Sequence, residues 1–213
     1  MEEAWSTRLD LGELGNVILV ADGLGGHPCG ELASRTVVEF LSGRSTSLGN
    51  EHSCEAALHA ANEYLYELVN DPHGIGMGTT IVGLALRNDA IIHFNVGDSR
   101  LYRYSGGELK QLSTDDRSAS DGNLSHGITQ AIGGSVFPLA ILPHIGMTAP
   151  LGVGDRLMLC SDGLTDMLPD PLIKEILTAS DSPAFAVETL FTCAMQAGGR
   201  DNISVAIVAW CSR

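Results

Sequence analysis

Two apolar runs in this chain end in the same tripeptide. Val17-Ile18-Leu19-Val20-Ala21 runs into Asp22-Gly23-Leu24, and Leu157-Met158-Leu159-Cys160-Ser161 runs into Asp162-Gly163-Leu164. A third carboxylate, Asp201, sits in Arg200-Asp201-Asn202, just ahead of the apolar run Ile203 to Ala209. An antiparallel pairing of the last run with a neighbour would bring Asp201 to the same sheet edge as the other two. Carboxylates gathered this closely repel one another unless a cation neutralises them. All-oxygen ligation selects hard divalent ions such as Mg²⁺ or Mn²⁺. The plainer alternative is that each Asp-Gly pair marks a turn.

The elements that must position these groups are legible in the hydrophobic pattern. Residues 31–41 and 53–69 read as amphipathic helices, the second with Ser53 as N-cap and Pro72 beyond its end. Residues 79–86, 90–96, 101–104 and 109–111 alternate with turn residues and read as an antiparallel meander. Residues 113–127 are polar and aperiodic, a surface loop. Residues 128–132 form a short apolar segment and 144–148 a strand, and Gly152-Val153-Gly154-Asp155 turns into the second Asp-Gly strand. Helices over 171–178 and 183–197 follow, each with proline in its first turn, and Gly198-Gly199 stops the second. Strands grouped together and helices in separated pairs predict an α+β sandwich. The order is not a βαβ alternation, and the chain has neither GxGxxG nor GxxxxGK[ST].

Composition narrows the function. The length of 213 residues, with no linker or charge block, predicts a single domain over 1–213. A formal net charge of −14 argues against nucleic acid as a partner. Five cysteines, none in a CxxC pair, fit neither a closed disulfide framework nor a zinc knuckle, and predict a reducing, cytoplasmic setting. The acidic Met1-Glu2-Glu3-Ala4-Trp5 start is unlike a signal peptide, and no run approaches the roughly 18 apolar residues that span a bilayer. The expectation is a soluble monomer without a membrane or nucleic-acid partner.

The motifs also form a series. Val20-Ala21-Asp22-Gly23-Leu24-Gly25-Gly26-His27, Gly78-Thr79-Thr80, Asn95-Val96-Gly97-Asp98-Ser99-Arg100, Leu112-Ser113-Thr114-Asp115, Cys160-Ser161-Asp162-Gly163-Leu164 and Arg200-Asp201-Asn202 occur in that order. Together they resemble the metal-dependent protein phosphatases of the protein phosphatase 2C (PPM) family, in a compact bacterial-type form. The resemblance implies an αββα sandwich, two antiparallel sheets flanked by helix pairs, with a binuclear Mg²⁺ or Mn²⁺ centre. In that scheme Asp22 bridges the two ions, the Gly23 carbonyl binds one, and Asp162 and Asp201 hold the other. Asp115 is associated, with Asp162, with a third ion. Asp22, Asp162 and Asp201 would act catalytically through a metal-activated water that attacks phosphorus in line, without a covalent phosphoenzyme. The implied function is hydrolysis of phosphoserine and phosphothreonine in phosphoproteins, opposing a Ser/Thr kinase.

Several positions depart from the pattern. Met1-Glu2-Glu3-Ala4 stands about where the family carries Asn-Glu-Asp-Ala, and the phosphate-gripping arginine would precede residue 1. Either the chain is shortened upstream or it lacks that clamp. Glu2 remains a candidate for the metal shell, and Arg8 for a substitute clamp or a solvated side chain. The flap around 116–127 is shortened, which predicts a more open cleft. His27 follows the glycine turn and is a candidate general acid, against a structural role. Asp98 and Arg100 are expected in a structural ion pair or turn. Two alternatives to a generic phosphatase remain: a pseudophosphatase that binds without turnover, and a phosphatase of the sporulation or stress-regulator branch.

Overall fold

A computed structural model of the chain describes residues 3–8, 17–24, 28–69, 77–118, 127–135 and 139–210, with the side chains of 3–8, Pro28 and Val69 left aside. The elements run β1 (Glu3–Arg8), β2 (Val17–Leu24), α1 (Pro28–Ser42), a 3-10 turn (Ser45–Leu48), α2 (Glu51–Val69), β3 (Gly78–Thr79), β4 (Ile81–Leu86) and β5 (Ile91–Val96). They continue with β6 (Arg100–Ser105), β7 (Glu108–Gln111), β8 (Ile132–Gly133), β9 (His144–Thr148) and β10 (Arg156–Cys160). The chain closes with α3 (Asp162–Thr165), α4 (Asp170–Ala179), α5 (Pro183–Gln196) and β11 (Val205–Ala209).

Two antiparallel sheets stack between helix layers. One has seven strands in the order β8-β3-β2-β4-β5-β9, with β1 also paired to β2; the other has four, in the order β11-β10-β6-β7. Strand alternation sorts side chains into three apolar layers. Leu19 and Ala21 of β2 face α1 and α2, where they meet Ala33, Val37, Leu41, Leu58 and Leu65. Ile18 and Val20, pointing the other way, meet Leu157 and Leu159 of β10 between the sheets. Met158 and Cys160 turn outward onto Leu164, Ile173 and Leu190 of the second helix layer. Both Asp-Gly strands are therefore buried on two faces, which is why they read as unbroken apolar runs.

The αββα expectation holds, and several local expectations change. The run 79–86 is two strands, because Thr80 leaves the ladder. Its hydroxyl accepts the Asp22 N–H at 3.1 Å and bonds Ser99 Oγ at 2.7 Å. The segment 79–111 is not one meander. β4–β5 and β6–β7 belong to different sheets, and the chain crosses between them at Gly97-Asp98-Ser99. Gly97 sits at φ +100°, a conformation that L side chains rarely adopt. Helix α2 starts before Ser53, because Asn50 Oδ1 accepts the Ser53 N–H at 2.9 Å and takes the capping role. No helix among the described residues is long and apolar enough to cross a membrane.

Candidate metal centre

The two Asp-Gly pairs lie at neighbouring ends of the two sheets. Asp22 is still within β2, whose register sets Glu3 of β1 opposite Asp22 and Thr79 of β3 opposite Gly23. The backbone of Asp22 is fixed on both sides. Its carbonyl accepts the Thr80 N–H at 2.8 Å and the Thr79 hydroxyl at 2.9 Å, and its N–H donates to the Thr80 hydroxyl. Gly30 of α1 packs so close that a Cβ there would stand 3.1 Å from the Gly23 carbonyl oxygen.

Asp162 opens α3, directly after β10. The same stretch is tied to the segment that carries Asp201. Ser161 N–H donates to the Ser204 carbonyl at 3.1 Å, and Ser204 N–H donates to Ser161 Oγ at 3.0 Å. A Cβ on Gly163 would overlap the Asn202 carbonyl oxygen, so only glycine lets the start of α3 dock there. The register of β10 on β11, with Cys160 opposite Val205, brings Asp162 and Asp201 to one edge.

The side chains converge less completely than the backbone. Asp22 and Asp162 share a side-chain hydrogen bond. Among the described residues, no three His, Cys, Asp or Glu side chains meet as a ready ligand set. Asp201 is exposed, and its carboxylate accepts the N–H of its own neighbour Asn202 at 2.8 Å. That local bond competes with any turn of the carboxylate toward Asp162.

Asp162 is held above the ordinary carboxylate range, chiefly by burial and then by the charges of Asp98 and Asp166, with Arg117 and the Asp22 hydrogen bond pulling the other way. A cationic side chain also stands at the site, the Arg117 guanidinium, whose Nη2 lies 2.9 Å from Asp162 Oδ2. The raised Asp162 carboxyl and the guanidinium beside it both mark a place where positive charge is wanted. Together with the all-oxygen donors, they make this cluster fit a hard divalent cation.

Asp115 is not brought to this pair. It takes a forked contact from Arg100, with Nη2 at 2.7 Å and Nε at 2.9 Å, and accepts Gln111 Nε2 at 2.7 Å. Asp98 is buried and accepts Arg117 Nε at 2.6 Å. Both members of the Gly-Asp-Ser-Arg motif thus sit in ion pairs, with different partners. Glu2, His27 and most of the flap, 119–126, lie outside the described residues, as do the side chains of Glu3 and Arg8.

Arg117 is the charged residue beside Asp162 that pattern reading passed over. It occurs once, in a polar segment without periodicity, and only its three carboxylate contacts reveal it. The thiols offer no rival chemistry among the described residues. Burial pushes the thiols of Cys54 and Cys160 up to about 12, so both stay protonated at neutral pH. A cavity of about 1010 Å³ runs along β11 beside α5, walled mostly by apolar side chains such as Val187, Phe191 and Ile207. Arg200 and Asp201 are its charged lining residues, and the rest of its walls carry no charge.

A family model for protein phosphatase 2C matches residues 6–200. Protein phosphatase PhpP of Streptococcus pneumoniae is 34% identical, over 91% of this chain and 85% of its own length. The serine/threonine phosphatase stp of Listeria monocytogenes serotype 4b is 32% identical, over 90% of this chain and 83% of its own. Among solved structures, the catalytic domain of the serine threonine protein phosphatase PstP, in complex with two manganese ions, superposes with a TM-score of 0.79 at 29% identity. That superposition covers 97% of this chain and 89% of PstP's. The order of the motifs, the stacked sheets and these likenesses agree: the chain belongs to the protein phosphatase 2C family.

Proposed function

We propose that this chain is a metal-dependent protein-serine/threonine phosphatase whose centre is built on the Asp22–Asp162 pair. The hydrogen bond between those two carboxyl groups, at the meeting ends of the two sheets, is the observation that carries the reading. Asp22, the Gly23 carbonyl, Asp162 and Asp201 hold two divalent cations, Mg²⁺ or Mn²⁺, as in PstP with its two manganese ions. When bound, such ions neutralise charge on the phosphoryl oxygens and acidify a water toward neutral pH. The substrates are phosphoproteins made by Ser/Thr kinases. A monomer working in the cytoplasm, away from nucleic acid and membrane, fits the acidic charge.

The chain's own residues supply positioning. Thr79 and Thr80 clamp the Asp22 backbone, so the carboxylate is aimed before any ion arrives. The Ser161–Ser204 exchange and Gly163 fix the Asp201 segment beside Asp162. Preorganisation of this kind spares the site reorganisation during the reaction. A binding module without turnover has no feature in its favour among the described residues.

The test is hydrolysis of p-nitrophenyl phosphate and a phosphothreonine peptide with Mn²⁺, against EDTA and Asp22→Asn controls. Turnover that needs Mn²⁺ and disappears in Asp22→Asn is the expected result. Full turnover in EDTA would sink the metal assignment, and no turnover with Mn²⁺ would sink the enzyme.

A further inference from the structure

Arg117 spreads one guanidinium over three carboxylates. Its Nε lies 2.6 Å from Asp98, Nη2 2.9 Å from Asp162 and Nη1 3.1 Å from Asp166. Each nitrogen serves a different acid, and the acids come from three places: the turn between sheets, the first residue of α3, and the residue just past its end. This is a built contact. The guanidinium is 17% exposed and Asp98 only 2%, so losing the arginine would leave a buried carboxylate without its strongest partner.

The backbone holds Arg117 in place from both sides. It forms a β-bridge with Ile128, and Ser118 N–H donates to the Gly127 carbonyl at 3.0 Å. Next door, Asp116 accepts the Gly97 N–H at 2.8 Å and Gln130 Nε2 at 2.9 Å, and bonds His144 Nε2 at 2.9 Å. A residue anchored this way presents its charge at a fixed point.

We propose that Arg117 is a resident cation of the metal centre, standing against Asp162 in place of a third divalent ion. The inference rests on Asp22 and Asp162 being metal ligands. Two observations carry it further. Asp162 Oδ2 already faces the Arg117 guanidinium at 2.9 Å, while Asp162 also shares a hydrogen bond with Asp22. The acid that a third ion would share with Asp162 is Asp115, and that carboxylate is held in a fork by Arg100. A dication placed against Asp162 on the Arg117 side would meet a positive charge at contact distance, and like charges at such range oppose each other strongly. One positive charge set among Asp98, Asp162 and Asp166 leaves the group negative overall, so attraction for ions on the Asp22 side persists.

The test counts ions instead of turnover. Metal-free full-length protein is titrated with Mn²⁺ while electron paramagnetic resonance reads the free aqueous ion. Wild type takes up two ions; Arg117→Gln takes up a third, weaker one; Arg117→Lys, which keeps the charge, returns the count to two. Three ions in wild type, or two in Arg117→Gln, overturns the proposal while leaving the binuclear centre intact. No uptake by wild type overturns the metal centre, and this proposal with it.

If Arg117→Gln fails to fold, wild type alone decides. The side-chain Nε–H resonance of Arg117, identified by its loss in Arg117→Lys, is followed by NMR through a Mg²⁺ titration. It stays protected from solvent exchange to saturation if the arginine remains seated. Release into solvent as the ions bind overturns the proposal.

Discussion

The same tripeptide is built into two different backbones. At Asp22-Gly23-Leu24 strand β2 simply continues, and the carboxylate is aimed by neighbours across the sheet, Thr79 and Thr80. At Asp162-Gly163-Leu164 the strand has ended, and the carboxylate sits on the first turn of a four-residue helix. There the aim comes from a segment some forty residues later in sequence, through Ser161, Ser204 and the contact of Gly163 with Asn202. The first half is therefore a rigid part of a sheet. The second is a joint between two segments, and its precision depends on how closely they dock.

That contrast sets the expected sizes of effect. Asp22→Asn keeps the shape and removes a charge from the rigid half. Metal ions supply several kcal/mol of charge stabilisation, so Mn²⁺-dependent turnover should fall on the order of 10²-fold or more, read as kcat/KM, with little change in melting temperature. A variant that melts far lower would show that Asp22 is chiefly structural.

The next test strikes the joint. Gly163→Ala places a methyl group onto the Asn202 carbonyl, so α3 and the Asp201 segment must separate. A cost of about 1–3 kcal/mol in urea denaturation is expected, together with weakened Mn²⁺ uptake. Gly30→Ala is the matching change against the rigid half. Its Cβ would meet backbone at 3.0–3.1 Å, and alanine's helix preference of roughly 0.5–1 kcal/mol offsets part of the crowding. Equal losses in the two variants would break the comparison.

A smaller effect is expected where the sheet aims Asp22. Thr80→Val keeps the volume but removes the hydroxyl that accepts the Asp22 N–H and bonds Ser99. An unsatisfied buried donor costs about 1–3 kcal/mol, at the low end here because the Asp22 carbonyl keeps its own partners. Melting curves check the loss. Retention of the two-ion count would confirm that the strand holds Asp22 without that bond.

How much of this was legible beforehand follows from the same contrast. Asp22 and Asp162 could be picked out because the strands before them are buried on two faces and leave a continuous apolar signal. The three-way contact of Arg117 left no such signal. Its partners Asp98, Asp162 and Asp166 are 19, 45 and 49 residues away in sequence. The division of 79–111 between two sheets was equally hidden. Turn residues at Gly97-Asp98 announce a change of direction and say nothing about which sheet receives the next strand. The local bond of Asp201 to Asn202 N–H explains why three acids that share an edge do not share a point.

The smallest expected effect separates the two sheets by pH. The seven-stranded sheet, which carries Asp22, contains His93 in β5, against which Gly146 of β9 packs closely. The strands of the four-stranded sheet contain no histidine. Burial holds the His93 imidazole below its ordinary value of 6.5, so the folded state disfavours its protonation. The unfolded chain then binds more protons, and stability must rise with pH across this window. The contribution is complete above 6.5 and is lost as pH falls from there through the lowered folded value. In EDTA, to keep metal binding out of the measurement, melting temperature should drop on acidification through this range, and His93→Gln should flatten the drop. Amide exchange under mild acid should rise in β5 and β9 before it rises in β10. Loosening that begins in β10 would overturn His93 as the acid-sensitive point.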